Sequence, residues 1–268
     1  MTPRSRGIVS VMPEPVGTFP FGRPVLARPP SASTKRGMFI LGAYPSALHV
    51  AWRPPAGKPI RAMAVDNEPV PFWNGERDGE YIAQWKAAVG FREGEWGTVA
   101  AAGKLNGSSG IWVDDNVLAP LAAGRDDVCI SDCLDTYFSS GDGAARVADT
   151  YQPFAEGAGL PPARLAGHPS EDAIVEQGVR LHRGRLLREL SQAAPDVVVT
   201  LGNAALRVMR LTAAQNDGPA KLLADPSYGR ERTLTVGGRR IRWLPLAHPA
   251  SPSAYKDAHA RWRRVRGK

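Results

Sequence analysis

A histidine follows an apolar run near the carboxyl end of the chain. The run covers residues 243–246, and the turn after it contains His248, Pro249 and Ser251. An imidazole at a sharp turn can donate a hydrogen bond to an oxygen on which negative charge develops, and this stabilises a transition state. The alternative is a histidine that caps the helix predicted to follow. These residue types therefore indicate either a catalytic hydrogen-bond donor or a local structural cap.

Three further apolar runs end in polar or small residues. Residues 37–41, 127–131 and 196–201 are followed by Gly42, Asp132 and Gly202. Continuous apolar runs of this length are typical of strands in parallel sheets, because such strands are buried on both faces. The carboxyl ends of parallel strands meet at one edge, where open α/β sheets bind their ligands. We therefore expect the four strand ends to form one site.

The predicted fold class is α/β, a three-layer α/β/α sandwich with a central four-stranded parallel sheet. Its strands are placed at 37–41, 127–132, 196–201 and 241–246. Residues 1–36 are rich in Pro, Arg and Ser, so they are predicted to form a partly ordered arm or a wrapping extension. Residues 37–268 are predicted to form a single domain.

Periodicity and turn signals place the remaining elements. One hairpin joins 48–52 to 59–65, and a second joins 233–236 to 240–246 through a Gly-Gly turn. Helices are predicted at 76–89, about 170–192, 202–211 and 251–266. The last of these is strongly basic.

Composition restricts the class of partner. The chain has 268 residues, 43% of them hydrophobic, which excludes disorder throughout. Its formal net charge is +8, which favours a polyanionic partner, nucleic acid before membrane. The alternative is a basic composition without a polyanionic partner. No apolar run reaches the roughly 18 residues of a membrane helix, so no membrane partner is expected.

The cysteines and histidines do not suggest a metal or a disulfide framework. Cys129 and Cys133 are the two cysteines, too few for either arrangement. The five histidines show no spacing typical of metal ligands. We therefore expect a cytoplasmic monomer that needs no metal or other cofactor.

Taken together and in order, the strand ends are similar to those of the uracil-DNA glycosylase superfamily. The motifs that support this resemblance are Gly42-Ala43-Tyr44-Pro45, Asp132 at the end of a middle strand, and His248-Pro249-Ala250-Ser251. The segment 195–205 is similar to a strand-turn-helix of the same superfamily. The resemblance covers about residues 37–262. It implies a DNA glycosylase that flips a base and hydrolyses its N-glycosidic bond, leaving an abasic site.

The resemblance assigns roles to particular residues. His248 would stabilise the leaving base, Asp132 would read it, and Gly42, Ala43, Tyr44 and Pro45 would shape the pocket and hold water. A flipped base needs an aromatic platform, for which Phe72 and Trp73 are the candidates, with ordinary core positions as the alternative. Asn203 is counted with the substrate-binding residues, with a helix cap as its alternative role.

DNA contacts are expected from both turns and from the C-terminal helix. Ser46 and Ser251 would bind phosphates beside the flipped nucleotide. Tyr255, in the segment 252–256, would push into the base stack. Lys256 would contact phosphates together with Arg261, Arg263, Arg264 and Arg266, although a solvated helix end explains that charge equally well.

The first motif departs from the superfamily. Members carry a carboxylate or an amide where this chain has Ala43 or Tyr44. Either another residue orients the water, or the protein binds DNA without cutting it. His49, Asp66 and Glu68 are the possible substitutes, and surface charge is the alternative explanation of the two acidic ones.

Asp132 is a second departure from the superfamily, because members that recognise uracil carry asparagine at this position. A carboxylate accepts hydrogen bonds from the exocyclic amine of cytosine, so a cytosine-type or modified cytosine base is favoured over uracil. The alternative is a structural carboxylate bonded to backbone amides. Two rival functions stay open, a catalytically inactive DNA-binding protein and a small-molecule nucleoside hydrolase.

Overall fold

The computed structural model describes residues 17–29, 36–214, 219, 221, 222, 227–251 and 255–266. Within these ranges the strands are β1 Gly17–Thr18, β2 Pro24–Val25, β3 Met38–Gly42, β4 Ala47–Arg53, β5 Ile60–Asn67, β6 Thr98–Ala101, β7 Val128–Asp132, β8 Val197–Leu201, β9 Arg232–Val236 and β10 Arg239–Leu246. The α-helices are α1 Asp78–Val89, α2 Glu93–Trp96, α3 Ser108–Val113, α4 Gly141–Arg146, α5 Gln152–Gly157, α6 Glu171–Ala193, α7 Gly202–Thr212 and α8 Lys256–Arg266. The fold is mixed α/β.

In the second half of the chain, α6 and α7 lie within one residue of their predicted bounds. Helix α6 begins after Ser170, whose side chain accepts a hydrogen bond from the backbone N–H of Ala173, as a good N-cap does. Helix α8 covers Lys256–Arg266, within the predicted range 251–266, and residues 252–254 of that range lie outside the described residues. Of the helices in the described ranges, none has the length and apolarity needed to cross a bilayer.

The largest sheet has five strands in the order β7-β3-β8-β10-β9. Strands β7, β3, β8 and β10 run parallel to their neighbours, whereas β9 pairs antiparallel with β10. The sheet is therefore five-stranded and mixed, and the prediction of a four-stranded parallel sheet was too narrow. The physical reason is the turn at Gly237 and Gly238, where both φ angles are positive and the chain reverses to add an edge strand.

Both faces of this sheet are covered. Every residue of β3 and β8 is buried, and successive strand side chains point to opposite faces. Helices α6 and α7 pack against each other and share one hydrophobic core with the sheet, as does the segment 113–118. Burial on both faces explains the unbroken apolar runs in the sequence, and it leaves the strand ends as the place for polar chemistry.

A smaller antiparallel sheet has the order β5-β4-β6 and contains the first predicted hairpin. Its own hydrophobic cluster is rich in tryptophan, including Trp52, Trp85 and Trp96. The indole N–H of Trp52 donates to the carbonyl oxygen of Trp96 at 2.8 Å, so this buried polar group is satisfied. Strand β5 continues into the segment that contains Glu68 and Phe72.

Part of the predicted N-terminal arm packs against the rest of the chain. Strands β1 and β2 pair antiparallel, and Phe19, Phe21 and Val25 are buried. The ring of Phe21 sits among the aromatic side chains of the smaller sheet's cluster. This packing carries Arg28 to the end of β7. Residues 1–16 and 30–35 lie outside the described residues.

Candidate functional site

A cavity of about 270 Å³ lies at the carboxyl ends of β3, β7 and β10. Its volume is just below the roughly 300 Å³ at which pockets for small ligands begin, so it suits a compact ligand. Seven of the predicted site residues line it, namely Ala43, Tyr44, Pro45, Ser46, Phe72, Asp132 and His248. The sheet edge therefore brings together side chains that are up to about 200 positions apart in the chain.

His248 enters the cavity from the turn after β10. Its backbone N–H donates to the hydroxyl oxygen of Ser251 at 2.9 Å, and the N–H of Ser251 donates to the carbonyl oxygen of His248 at 2.8 Å. Gly202, with φ of 84°, would place a Cβ only 3.1 Å from the Cβ of His248, so glycine permits this approach. The turn is thereby fixed against the end of β8.

The tautomer of His248 follows from its hydrogen bond. The backbone N–H of Ala250 donates to Nδ1 at 3.1 Å, so Nδ1 is an acceptor and Nε2 carries the proton. Burial lowers the pKa of His248 to about 4. The ring is therefore neutral at pH 7 and presents an N–H donor.

A second hydrogen-bond chain supports this turn from behind. The hydroxyl of Tyr228 accepts from the N–H of Ala247 at 2.8 Å and lies 2.6 Å from Nδ1 of His259. Nε2 of His259 lies 3.0 Å from the carbonyl oxygen of Asn116, which fixes Nε2 as the donor and Nδ1 as the acceptor. Tyr228 and His259 are thus positioning residues, and their separation in sequence gives no signal for this role.

Asp132, the last residue of β7, is 1% exposed and forms part of the cavity floor. Its Oδ2 accepts from Nη2 of Arg28 at 2.5 Å, while its Oδ1 has no hydrogen-bond partner within the described residues. Burial raises the pKa of Asp132, and the charge of Arg28 opposes that rise. An unpaired buried carboxylate oxygen is costly, so a hydrogen-bond donor placed at Oδ1 would be stabilising.

Three residues are possible substitutes for the missing water-orienting group, and Glu68 is the one among them that lines the cavity. Its Oε1 accepts from Arg28 at 3.1 Å and from the backbone N–H of Ser46 at 3.0 Å. Burial, followed by the charge of Asp132, raises the pKa of Glu68 to about 7. By contrast, Asp66 does not line the cavity. Its Oδ2 lies 2.8 Å from Nε of Arg23, with which it forms an ion pair. A buried carboxyl with a strongly raised pKa marks this region as chemically unusual.

His49, the third possible substitute, is half-buried in β4. Its backbone N–H donates to the side-chain oxygen of Asn106 at 2.9 Å, and the Asn106 amide donates back to its carbonyl oxygen. Burial lowers the pKa of His49 to about 4. These contacts give His49 a place in the strand rather than in the cavity.

Phe72 and Trp73 take different places although they are adjacent. Phe72 lines the cavity with its ring centroid 6.1 Å from that of His248, and its φ of 49° is uncommon for a bulky residue. The guanidinium of Arg125 donates to the Phe72 carbonyl oxygen at 2.8 Å, which holds this conformation. Trp73 instead belongs to the core cluster of the smaller sheet. Of the two candidates, the structure therefore places Phe72 at the cavity and Trp73 in that core.

Tyr44 forms another wall, with its ring edge against Phe138 and His168 at centroid distances of 5.3 and 5.5 Å. Burial raises its pKa to about 12, so the phenol stays protonated at neutral pH. His168 and Tyr137 also line the cavity and carried no signal in the sequence. Tyr44 therefore presents a neutral phenol in the pocket wall at pH 7.

Other predicted residues lie at the edge of the site or outside it. The side-chain oxygen of Asn203 accepts from the backbone N–H of Leu222 at 2.7 Å, which is a structural contact. The hydroxyl of Tyr255 donates to the carbonyl oxygen of Leu222 at 3.1 Å, and this hydrogen bond fixes the end of the side chain. Ser251, Tyr255 and Lys256 line a neighbouring cleft of about 230 Å³ that shares His248. Residues 252–254 of the predicted wedge lie outside the described residues.

A larger groove of about 1070 Å³ lies between the β4–β5 turn and helix α5. It is lined by Pro55, Lys58, Arg92 and Phe154 among others. It is far from the carboxyl ends of the parallel strands and holds no pair of buried carboxylates, so size alone does not make it the site. In the part of the chain that the structure describes, no group of three or more His, Cys, Asp or Glu side chains forms a metal site.

Comparison with protein-family models gives no match for this chain, and comparison with curated proteins gives none either. The resemblance to the uracil-DNA glycosylase superfamily therefore rests on the four motifs and stays a prediction.

Gly42 is expected to be essential to the cavity floor. A Cβ at this position would lie 2.2 Å from Oδ1 of Asp132 and 2.5 Å from the ring of Phe72. We predict that Gly42→Ala lowers the free energy of unfolding by about 1–3 kcal/mol, as overpacked core variants do. Gly37→Ala, just before the same strand, meets nothing within 4 Å and serves as the control. Urea unfolding of both variants measures the difference, and equal stabilities would contradict the crowding argument.

Proposed function

We propose that this chain is a DNA glycosylase that takes one flipped base into the cavity and hydrolyses its N-glycosidic bond. One observation carries the proposal. Asp132 at the end of β7 and His248 in the turn after β10 line one small cavity together with the aromatic ring of Phe72. A flipped base needs a stacking surface, a reader of its edge and a donor at the oxygen that gains charge.

In the proposed reaction the C1′–N bond breaks, and its electron pair leaves with the base. The sugar passes through an oxocarbenium-like state, and water adds to C1′. The Nε2–H of neutral His248 donates to the base carbonyl oxygen as negative charge develops there. The proton that this water loses goes to the leaving base, and an abasic site remains. This chemistry uses no metal or other cofactor.

The proposed base is cytosine-type, including modified cytosine, rather than uracil. The support is the unpaired Oδ1 of Asp132, an acceptor that an exocyclic amine would satisfy. Uracil offers a carbonyl oxygen at that place, and two acceptors would face each other. Such a preference suits the removal of modified cytosines from phage DNA or a role in base-excision repair.

DNA is proposed to cross the cleft between helix α8 and the His248 turn. Lys256 and Arg263 line that cleft, and the exposed residues of α8 are mostly basic. We predict that Lys256→Ala weakens DNA binding and lowers the slope of log affinity against log salt by about one. Lys58→Ala, at the exposed tip of the other sheet, is the matched control. Equal salt slopes for the two variants in a fluorescence anisotropy titration would contradict this DNA path.

The proposed function is tested by incubating the purified chain with duplex DNA that carries cytosine, methylcytosine, hydroxymethylcytosine, glucosylated hydroxymethylcytosine or uracil, and with phage DNA. Alkali cleavage then reveals abasic sites. Strand breaks at a cytosine-type base support the proposal. DNA binding without breaks on every substrate favours an inactive DNA-binding protein, and failure to bind DNA at low salt favours a nucleoside hydrolase.

A further inference from the structure

One guanidinium joins the two buried carboxylates of the cavity floor. Arg28 donates from Nη2 to Asp132 at 2.5 Å and from Nη1 to Glu68 at 3.1 Å. The side chain of Arg28 is 10% exposed, and those of Glu68 and Asp132 are 5% and 1% exposed. Arg28 comes from the N-terminal segment, for which the sequence predicts a partly ordered arm or a wrapping extension. The three groups form a cluster that is nearly closed to solvent.

The charge of Arg28 decides which form the carboxylates take. Two neighbouring buried carboxylates cannot both be ionised without a nearby cation, because burial and mutual repulsion favour protonation of one. Burial raises the pKa of both Asp132 and Glu68, and the charge of Arg28 opposes that rise in each case. Removing the cation would therefore raise both pKa values further and favour protonation of the pair.

Protonation changes what the floor recognises. An ionised carboxylate only accepts hydrogen bonds, whereas a protonated carboxyl also donates one. A floor made of acceptors matches an amine edge. A floor with one O–H donor also tolerates the carbonyl edge of uracil.

We propose that Arg28 is a specificity-determining residue, which restricts the cavity to bases with an exocyclic amine by holding Asp132 as an ionised acceptor. This inference rests on the proposed function, since it assumes that the cavity receives a nucleobase. It adds a residue from outside the four strand ends, and it assigns Arg28 a positioning and electrostatic role rather than a catalytic one.

The test measures binding rather than cleavage. Duplexes carry 2′-fluoroarabino-cytosine, 2′-fluoroarabino-uracil or a tetrahydrofuran abasic site at one position, because the fluorine prevents glycosidic cleavage. We expect the wild-type chain to bind the cytosine duplex about tenfold more tightly than the uracil duplex. In Arg28→Met the preference should fall below about threefold, through a gain in uracil binding.

Three further variants make the test specific. Arg23→Met, in the same segment, breaks the ion pair with Asp66 outside the cavity and should keep the wild-type preference. Arg28→Lys keeps the positive charge and should retain most of the preference. Arg28→Gln keeps hydrogen bonding without charge, and it decides the question if the methionine variant melts at a lower temperature or fails to fold.

The outcomes separate this inference from the proposed function. A wild-type preference for cytosine that survives in Arg28→Met and Arg28→Gln overturns the role of Arg28 and leaves the glycosylase proposal standing. A wild-type preference for uracil also overturns it. If the wild-type chain binds neither base more tightly than the abasic duplex, the cavity is not a base pocket, and both proposals fail.

Discussion

Replacing His248 with alanine is expected to slow base release by about 100- to 1000-fold, the usual cost of removing one donor to a developing oxyanion. The structure fixes this donor well, because Ala250 occupies Nδ1 and leaves the proton on Nε2. The pKa of about 4 keeps the ring neutral, so we expect no loss of activity from its titration between pH 6 and 8. Single-turnover rates on the best DNA substrate measure the effect.

His182→Gln is the matched control, since His182 lies beside Asp135 at 3.6 Å and does not line the cavity. Its rate should stay within about threefold of the wild-type value. DNA affinity should be nearly unchanged in His248→Ala, because the donor acts mainly in the transition state. A His248→Ala rate equal to that of the control would show that the histidine only caps its turn.

Asp132→Asn is expected to change which base is accepted. An amide both donates and accepts, which suits the uracil edge, and one good edge contact is worth about 1–3 kcal/mol. The ratio of uracil to cytosine release should therefore rise by about 10- to 100-fold. The variant also loses the buried ion pair with Arg28, so a lower melting temperature is expected alongside. Product analysis by mass spectrometry on paired substrates measures the ratio.

Asp135→Asn removes a carboxylate three residues further along that does not line the cavity, and it should leave the ratio unchanged. An unchanged product profile for Asp132→Asn on uracil- and cytosine-containing DNA would contradict the reading role. It would instead favour a structural strand-end carboxylate whose partner is Arg28.

Local patterns in the sequence predicted the main strands because these are buried on both faces and read as apolar runs. Ser170 marked the start of α6, since an N-cap acts within three residues. The glycine pair at 237 and 238 marked the last hairpin for the same local reason. The first strand of that hairpin, β9, adds a fifth strand to the sheet. Which strand it pairs with cannot be predicted from the local sequence pattern.

The candidate site could be predicted only where it sits on strand ends. Strand direction brings Tyr44, Asp132 and His248 to one edge, so their spacing in sequence does not matter. Arg28 arrives from an arm through long-range packing that leaves no local signal. Glu68 looked like surface charge, because burial of a lone acidic residue cannot be read from its neighbours. The sequence could not tell which of Phe72 and Trp73 faces the site. They are adjacent in the chain, but their side chains belong to different hydrophobic clusters.

A structure of the chain bound to a duplex with 2′-fluoroarabino-cytosine tests the base pocket most directly. We predict that this cytosine leaves the helix and lies against the ring of Phe72. Its amine should then be within hydrogen-bond distance of Oδ1 of Asp132, and its carbonyl oxygen within reach of Nε2 of His248. A cytosine that stays stacked in the duplex, or one that binds elsewhere on the chain while this cavity keeps its apo arrangement, would contradict the account.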